Sequence, residues 1–373
     1  MTDNRSPKNL MIVIGTRPEA IKLAPIVLGA LERPDLFVTQ IVVTGQHREM
    51  LDQMLRQFGI EPDLDLDIMK QDQNLCHVTN AALDGLYKAI ASLNPDCVIV
   101  QGDTTTTFAG ALAAFYQHVP VAHVEAGLRT FDKQQPWPEE VNRCLTSQLA
   151  DFHFPPTQLS RENLQKEGVS AERIWVTGNT AIDALLHTLK RVGQKSKTSH
   201  STKDTRQILL TAHRRENHGV PMESICRAVR RLLDEDDTLE LLYPVHKSPR
   251  VREVVYRDLG DHPRIQLVEP MEYEAFVIAM NESTLILTDS GGIQEEAPSL
   301  GKPVLVLRET TERPEAIEAG VAKLIGTDSE RIYQEARKLL YDDAAYQSMA
   351  RAVNPYGDGS AANQVLDILA AEL

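Results

Sequence analysis

Short apolar runs alternate with segments of helical periodicity through most of this 373-residue chain. In the first half, runs rich in Val, Ile and Leu occupy residues 10–15, 37–45, 95–103 and 119–127. Continuous apolar runs of this length are typical of strands buried on both faces of a parallel sheet. Because parallel strands need helical crossovers, the pattern predicts a doubly wound α/β domain in this half.

The same alternation restarts in the second half, where apolar runs predict strands at residues 208–213, 239–246, 264–270, 284–290 and 302–309. Residues 190–207 are rich in Lys, Ser and Thr, which is typical of a linker. We therefore predict a Rossmann-like domain at 1–185, a linker at 186–207 and a second Rossmann-like domain at 208–373. We expect the two domains to face each other across a cleft, with the last helix packing back on the N-terminal domain.

Composition and charge narrow the class of protein. The chain has 39 Lys+Arg against 53 Asp+Glu, a net charge of −14, so nucleic acid is not an expected partner. No stretch approaches the roughly 18–20 apolar residues of a membrane span, and the N-terminal residues do not resemble a signal peptide. Four widely spaced cysteines predict reduced thiols in a cytoplasmic protein, and the His spacing predicts no metal site.

Polar and charged side chains follow five of the predicted strands, at the edge where such sheets bind ligands. In chain order they include Arg17 and Lys22, Asp103, His123 and Glu125, His213, and Asp289 with Ser290. The last group opens the segment TDSGGIQEEA. Its small residues between a strand and a helix would let backbone N–H groups of Ser290, Gly291 and Gly292 point at a phosphate, while Glu296 could accept hydrogen bonds from a ribose diol.

Two kinds of charged group complete the candidate site. Arg17, Lys22, His213 and Arg313 are candidates for neutralising a diphosphate. Asp103, Glu125 and Glu139 are candidates for acid–base work. Neither a Walker A loop nor the dinucleotide fingerprint is present, so NAD dependence is disfavoured.

A set of ordered motifs, spread over residues 10–365, resembles the non-hydrolysing UDP-N-acetylglucosamine 2-epimerases. The motifs are GTRPEAIKLAPIV, TGQHREMLDQ, QGDTTTTFAGALAAF, HVEAGLRT, PWPEEVNR, VTGNTAIDAL, HRREN, PVH and DSGGIQEEAPSLGKPVLVLRETTERPE. The resemblance implies the two-domain GT-B fold, a homodimer, and neither a metal nor a redox cofactor. It also implies the reversible conversion of UDP-N-acetylglucosamine to UDP-N-acetylmannosamine, a precursor of surface polysaccharide.

The resemblance also implies residue roles. The catalytic positions are Asp103, Glu125, Glu139 and His213; the substrate-binding positions are Arg17, Lys22, Phe276, Ser290, Gly291, Gly292, Glu296 and Arg313. The acid–base carboxylates then belong to the N-terminal domain and the UDP contacts mostly to the C-terminal one.

This chain departs from the family pattern at three positions: Met271 replaces a Gln beside the uracil, Phe131 replaces a loop Gly, and Asp72 replaces an Arg. Some members are regulated by a second UDP-N-acetylglucosamine bound near Gln46 and His47. Those residues are present, but the change at Asp72 leaves that regulation open.

The C2 proton of the sugar has no adjacent carbonyl to acidify it, so inversion without NAD suggests elimination. Breaking the C1–O bond to UDP acidifies C2–H, and loss of both gives a 2-acetamidoglucal to which UDP re-adds. We expect Asp103, Glu125 and Glu139 to share the proton transfers, while His213 stabilises or protonates the leaving phosphate. Four alternatives stay open: a hydrolysing 2-epimerase, a 2-epimerase of a C6-oxidised UDP-sugar, a GT-B glycosyltransferase and a non-catalytic sugar-nucleotide sensor.

Overall fold

The chain divides into two compact units in a computed structural model that describes residues 6–45, 48–70, 73–195 and 205–373. Unit 1 comprises the chain up to Ala184 together with Tyr356–Leu373, and unit 2 comprises Leu185–Pro355. Both units are built from parallel strands joined by helices. The architecture is therefore α/β in both, as the alternating pattern predicts.

The sheet of unit 1 has six described strands in the order β3-β2-β1-β4-β5-β6, all parallel. They are β1 (Lys8–Ile14), β2 (Phe37–Val43), β3 (Leu64–Asp65), β4 (Cys97–Gln101), β5 (Val121–Val124) and β6 (Phe152–Phe154). The strand order reverses direction between β1 and β4. Loops that leave adjacent strands there diverge, and the opening between them is where doubly wound sheets bind ligands.

The helices of unit 1 are α1 (Arg17–Leu31), α2 (Arg48–Phe58), α3 (Leu75–Leu93), α4 (Thr105–Tyr116), α5 (Glu139–Leu149), α6 (Gln158–Lys166), the start of α7 (Thr180–Lys195) and, at the end of the chain, α15 (Ala361–Glu372). Small residues allow close packing of α4 on the sheet. A Cβ on Gly15, which follows β1, would lie 2.3 Å from Thr106 Oγ1, so only glycine fits at this contact.

The final helix, α15, packs on α1 within unit 1. Arg33 binds Asp367 and Asn363 at 2.6 Å and 2.8 Å, and Leu366 fills the space beside Gly29. The start of α15 is held by Asp183 of α7, whose Oδ1 accepts a hydrogen bond of 2.9 Å from the N–H of Ala362. The C-terminal segment is thus an integral part of unit 1.

Unit 2 repeats the design with six described strands in the order β12-β11-β10-β7-β8-β9, again all parallel. They are β7 (Arg206–Thr211), β8 (Leu239–Pro244), β9 (Ile265–Val268), β10 (Leu285–Thr288), β11 (Val304–Val306) and β12 (Ala322–Leu324). The reversal of strand order lies between β10 and β7.

The helices of unit 2 are α8 (Val220–Glu235), α9 (Pro249–Leu259), α10 (Tyr273–Glu282), α11 (Gly291–Glu296), α12 (Pro314–Glu318), α13 (Ser329–Tyr341) and α14 (Asp343–Ala350). A continuous core of buried aliphatic side chains joins α8, α9 and α13 to one face of the sheet. Among the described helices of both units, none is long and apolar enough to cross a bilayer.

Every apolar run that predicts a strand overlaps an observed one, whereas the short strands β3, β6 and β12 were not predicted. The predicted linker 186–207 is wrong in its first part, because residues 186–195 continue α7. Burial of Leu185 and Thr188 and the ion pair of Arg191 with Glu274 stabilise that extension. Residues 196–204 of the predicted linker lie outside the described residues.

Asp183 should make stability depend on pH. Burial raises the pKa of Asp183 from 3.8 to about 6, so the folded chain binds this proton more tightly than the unfolded chain. Its ionisation between pH 4 and pH 6 therefore lowers the free energy of unfolding, by about 3 kcal/mol when complete. We expect urea unfolding, followed by circular dichroism, to show Asp183→Asn gaining roughly this much relative to the unsubstituted chain between pH 4 and pH 7.5. A difference that does not change with pH would contradict the assignment.

Candidate active site

In unit 1, three neighbouring strands bring together Lys22, Asp103 and Glu125. Asp103 follows β4 and Glu125 follows β5, its parallel neighbour, while Lys22 lies in the helix after β1. Lys22 Nζ is 2.6 Å and 2.7 Å from the two carboxylate oxygens of Glu125. The carboxyl edge of this sheet therefore carries one ion pair and a second carboxylate beside it.

Glu125 is held as an anion by several donors. Its buried carboxylate accepts hydrogen bonds from Lys22, from the Gln101 amide and, at 3.3 Å, from Asn179 Nδ2. The Glu125 backbone has a left-handed conformation with φ 61°, which costs about 1–2 kcal/mol for a residue with a side chain. Strain of this kind persists only where the surrounding contacts fix it, and it collects at functional sites.

Asp103 has a different environment. Arg143 of α5 places Nη2 2.6 Å from Asp103 Oδ2. Burial raises the pKa of Asp103, the Arg143 guanidinium opposes that rise, and the negative charge of Glu125 adds to it. Because the net direction is upward, Asp103 keeps a proton to higher pH than an exposed aspartate does. Two adjacent carboxylates thus have different cationic partners, Lys22 for Glu125 and Arg143 for Asp103.

Glu139 is the first residue of α5 and is half-buried. Its negative charge is among those that raise the pKa of Asp103, so it belongs to the same group of carboxylates. The next residue, Glu140, is buried and accepts hydrogen bonds from the backbone N–H groups of Thr130 and Phe131 at 3.1 Å and 2.9 Å. Glu140 therefore fixes the loop that precedes Glu139.

Phe131 lies in that loop with φ 61°, the left-handed region that glycine favours. Its ring is exposed. Phe131 thus has a backbone conformation that suits glycine, in a loop held by the hydrogen bonds to Glu140.

Arg17 is the first residue of α1 and lies half-buried at the same edge of the sheet. Among the described residues it has no ion-pair partner. An unpaired guanidinium at the start of a helix is suited to an anion, because it adds its charge to the helix dipole.

In unit 2, a buried aspartate joins the carboxyl ends of two neighbouring strands, β10 and β7. Asp289 follows β10, is fully buried, and accepts hydrogen bonds of 2.8 Å from the backbone N–H groups of both His213 and Arg214, which follow β7. Asn217 Nδ2 donates a third bond of 2.9 Å. The second oxygen, Oδ1, lies 3.5 Å from His213 Nδ1, so Asp289 fixes the backbone of His213 and lies beside its ring.

The His213 ring stacks on a second imidazole, His246, with ring centroids 5.2 Å apart. Partial burial lowers the pKa of His246, and the nearby His213 lowers it further. His246 follows β8 and was not a predicted site residue. The stack leaves 44% of the His213 side chain exposed.

The glycine segment after β10 forms the predicted turn. Ser290 begins α11, and its hydroxyl makes no capping bond to that helix. Gly291 and Gly292 are the first helical residues, and a Cβ on Gly292 would come within 3.8 Å of Glu296 Oε1. Glu296 is half-buried on the same short helix, one turn further on. Ser290, Gly291, Gly292 and Glu296 therefore all lie on or at the start of α11.

Arg313 reaches the same helix from the loop before α12. Its Nε donates to the buried carboxylate of Glu295, and Thr311 in the same loop donates to Gln294 at 2.7 Å. Two consecutive buried side chains of α11 thus hold the loop that carries Arg313. Phe276 lies half-buried on α10, and Met271 lies just before that helix.

The predicted residues therefore fall into two groups. Arg17, Lys22, Asp103, Glu125 and Glu139 belong to unit 1, and His213, Phe276, Ser290, Gly291, Gly292, Glu296 and Arg313 belong to unit 2. Gln46 and His47 lie outside the described residues, as does Asp72. Within the described part of the chain, no three His, Cys, Asp or Glu side chains form a group that could hold a metal ion.

Comparison with known proteins decides the family. The sequence profile of the family named UDP-N-acetylglucosamine 2-epimerase matches residues 29–370. This chain belongs to the UDP-N-acetylglucosamine 2-epimerase family. The enzyme of that name from Escherichia coli is 52% identical over 368 residues, covering 96% of this chain and 98% of the relative. The Bacillus subtilis enzyme is 53% identical over 360 residues, covering 96% of this chain and 94% of the relative.

A solved structure of the family supports the fold. The UDP-GlcNAc 2-epimerase from Neisseria meningitidis, bound to UDP-GlcNAc, has a TM-score of 0.86 and 45% identity to this chain. The match covers 98% of this chain and all of the other. The GT-B-like class of two α/β units expected from the sequence is confirmed.

Several residues of this epimerase-family site were missed by sequence reasoning. Four unpredicted side chains contact predicted site residues: Arg143, Asn179, His246 and Glu295. Of these, only His246 lies at the end of a predicted strand. His246 did carry a signal, because the motif PVH closes an apolar run in the same way as His213 closes its own. The other three lie within helices or next to them, where sequence position gave no cue.

Asp289 should be essential to the fold of unit 2. Replacement by Ala would leave the backbone N–H groups of His213 and Arg214 without their acceptor, and Asn217 Nδ2 with the Leu307 carbonyl alone. This should lower the free energy of unfolding by about 3 kcal/mol. Asp289→Asn keeps an accepting oxygen and should cost less than half as much. Urea denaturation of both variants measures the difference. Equal stability of the two would show that the hydrogen bonds to Asp289 contribute little.

Proposed function

We propose that the protein interconverts UDP-N-acetylglucosamine and UDP-N-acetylmannosamine by eliminating UDP and adding it back, without net hydrolysis. The observation that carries the proposal is the pair of adjacent carboxylates in unit 1, Glu125 ion-paired with Lys22 and Asp103 with a raised pKa. Neighbouring carboxyl groups in different environments are suited to paired acid and base roles.

The nucleotide contacts would come mainly from unit 2. The turn offers the backbone N–H groups of Gly291 and Gly292 and the Ser290 hydroxyl for a phosphate, while the Ser290 N–H donates to Thr288 Oγ1. Glu296 offers acceptors for the ribose. Phe276 would contact the nucleotide from α10. Arg313 brings positive charge, although its pairing with Glu295 means that it acts as an oriented donor more than as a free charge.

His213 would act on the leaving group. Asp289 fixes its backbone, and the stack with His246 limits rotation of its ring. A preorganised donor at the oxygen where charge develops contributes about 3 kcal/mol to lowering a barrier. His213 would thereby stabilise or protonate the β-phosphate as the C1–O bond breaks.

The proton transfers would fall to unit 1. In the forward direction a carboxylate takes the C2 proton while the C1–O electron pair leaves with UDP, and a C1=C2 double bond forms. In the return step a carboxylic acid gives a proton to the other face of C2, and UDP bonds again to C1. Asp103, with its raised pKa, is suited to deliver a proton, and Glu139 and the Lys22-bound Glu125 are suited to accept one.

Further parts of the proposal concern assembly and setting. We assign the product to surface-polysaccharide synthesis, as the family resemblance implies. All four cysteines lie in the described residues and are free thiols, which suits a reducing cytoplasm.

We also propose a homodimer. The packed helices α3 and α4 carry three exposed aromatic side chains that are suited to burial against a second copy: Tyr87, Phe115 and Tyr116.

Solvent isotope tests the elimination. Incubated with UDP-N-acetylglucosamine in D₂O, without added metal or NAD, the protein should produce both epimers with deuterium at C2, seen by NMR as loss of the C1–C2 proton coupling. Full retention of the original hydrogen would overturn elimination. Accumulation of free N-acetylmannosamine and UDP would instead identify a hydrolysing enzyme, and absence of any reaction would favour a glycosyltransferase or a sensor.

Glu139→Gln tests the acid–base assignment. The change keeps the shape of the side chain and removes its ability to take a proton, so we expect kcat to fall about 100-fold or more. UDP affinity, measured by calorimetry, should stay within about threefold, because Glu139 belongs to the other unit. The exposed Glu162→Gln on α6 is the matched control and should behave like the unsubstituted protein. Parallel loss of UDP affinity would make Glu139 a structural residue.

A further inference from the structure

A buried carboxylate that the proposed chemistry does not use lies under the acid–base group of unit 1. Glu19, in the first turn of α1, is 2% exposed. Its Oε2 accepts a hydrogen bond of 3.0 Å from the Gly15 N–H. Its Oε1 accepts from the hydroxyl groups of Thr104 at 2.7 Å and Thr107 at 3.0 Å. Glu19 therefore joins the loop after β1 to the loop after β4.

The loop after β4 carries Asp103, and it is anchored at three successive residues. The carbonyl of Gly102 binds a ring nitrogen at 2.8 Å, the carbonyl of Asp103 accepts an amide N–H at 3.0 Å, and the hydroxyl of Thr104 donates to a carboxylate at 2.7 Å. The three anchoring side chains come from three different elements: His123 of β5, Asn142 of α5 and Glu19 of α1.

The anchors differ in what they connect. His123 is fully buried, and burial lowers its pKa to about 3, so it is a neutral, fixed partner within the sheet. Glu19 is different because its helix also carries Lys22, three residues later, which binds Glu125. One turn of α1 thus contacts both the loop of Asp103 and Glu125.

We propose that Glu19 is a positioning residue that sets Asp103 relative to the Lys22–Glu125 pair. The inference deepens the function proposed above and rests on it. A displacement of about 1 Å between reacting groups can cost a factor of about 100 in rate, so a contact that fixes this spacing acts on turnover without touching the sugar.

Two substitutions break the contact from its two sides. Glu19→Met keeps the length of the side chain and removes the acceptor. Thr104→Val keeps the shape and removes the hydroxyl, which donates to Glu19 and also caps α4 by accepting from the Thr107 N–H. Thr104→Ser retains the hydroxyl and is the matched control. We expect each disruptive variant to lose about 10-fold to 100-fold in kcat with KM for UDP-N-acetylglucosamine within about threefold, and Thr104→Ser to retain the original kcat.

The double variant decides whether the two side chains act through one contact. If they do, Glu19→Met with Thr104→Val should be no slower than the slower single variant. Multiplying losses would overturn the proposal, and so would a folded Glu19→Met or Thr104→Val variant with kcat within threefold of the original. Activity lost only in proportion to unfolded protein, measured by circular dichroism, would also reduce Glu19 to a fold residue. If Glu19→Met does not fold, the comparison of Thr104→Val with Thr104→Ser carries the test.

A readout that needs no turnover separates this proposal from the proposed function. Hydrogen exchange measured by mass spectrometry should be at least several-fold faster in a peptide covering residues 101–108 of the Glu19→Met and Thr104→Val variants. The same peptide in Thr104→Ser should exchange at the original rate. Unchanged exchange in the disruptive variants would overturn the anchoring even in an active enzyme, whereas failure of the unsubstituted protein to epimerise would overturn only the proposed function.

Discussion

A buried carboxylate joins the loops of the two central strands in each unit. In unit 1 Glu19 spans the loops after β1 and β4, and in unit 2 Asp289 spans those after β10 and β7. A buried carboxylate is costly unless donors surround it, so each one selects a loop arrangement in which several donors converge. The candidate catalytic side chains Asp103 and His213 are carried by these same loops, and their placement depends on that constraint.

Both units have a buried carboxylate between two loops, but the charged and polar groups around the candidate catalytic side chains differ. Around Asp103, burial and neighbouring negative charge favour a bound proton, while Lys22 keeps Glu125 charged nearby. Beside Asp289, whose carboxylate takes up the N–H groups of His213 and Arg214, the His213 imidazole and the glycines that begin α11 are the groups available to an anion. An overall charge of −14 is therefore compatible with binding a diphosphate, because local donors and not the net field determine that interaction.

The sequence allowed prediction of what depends on local pattern. Long buried strands such as β1 and β4 need continuous apolar runs, and residues at their carboxyl ends, such as Asp103, must lie at the ligand-binding edge. The short strands β3, β6 and β12 lie in no such run, and the register that forms them comes from their neighbours. Contacts between segments that are far apart in the sequence, such as Arg143 with Asp103, depend on how the crossover helices pack on the sheet. No single segment of the sequence determines that packing.

The return of the last helix to unit 1 has a consequence for synthesis on the ribosome. Unit 2 occupies one uninterrupted stretch of chain, whereas unit 1 needs α15, which is translated after the whole of unit 2. Domains generally fold as units when their residues have emerged, so the earlier-made unit must wait for the later-made one to leave the exit tunnel before its packing can be completed. Until then the face of α1 around Gly29, which Leu366 covers in the folded chain, is exposed on the nascent chain.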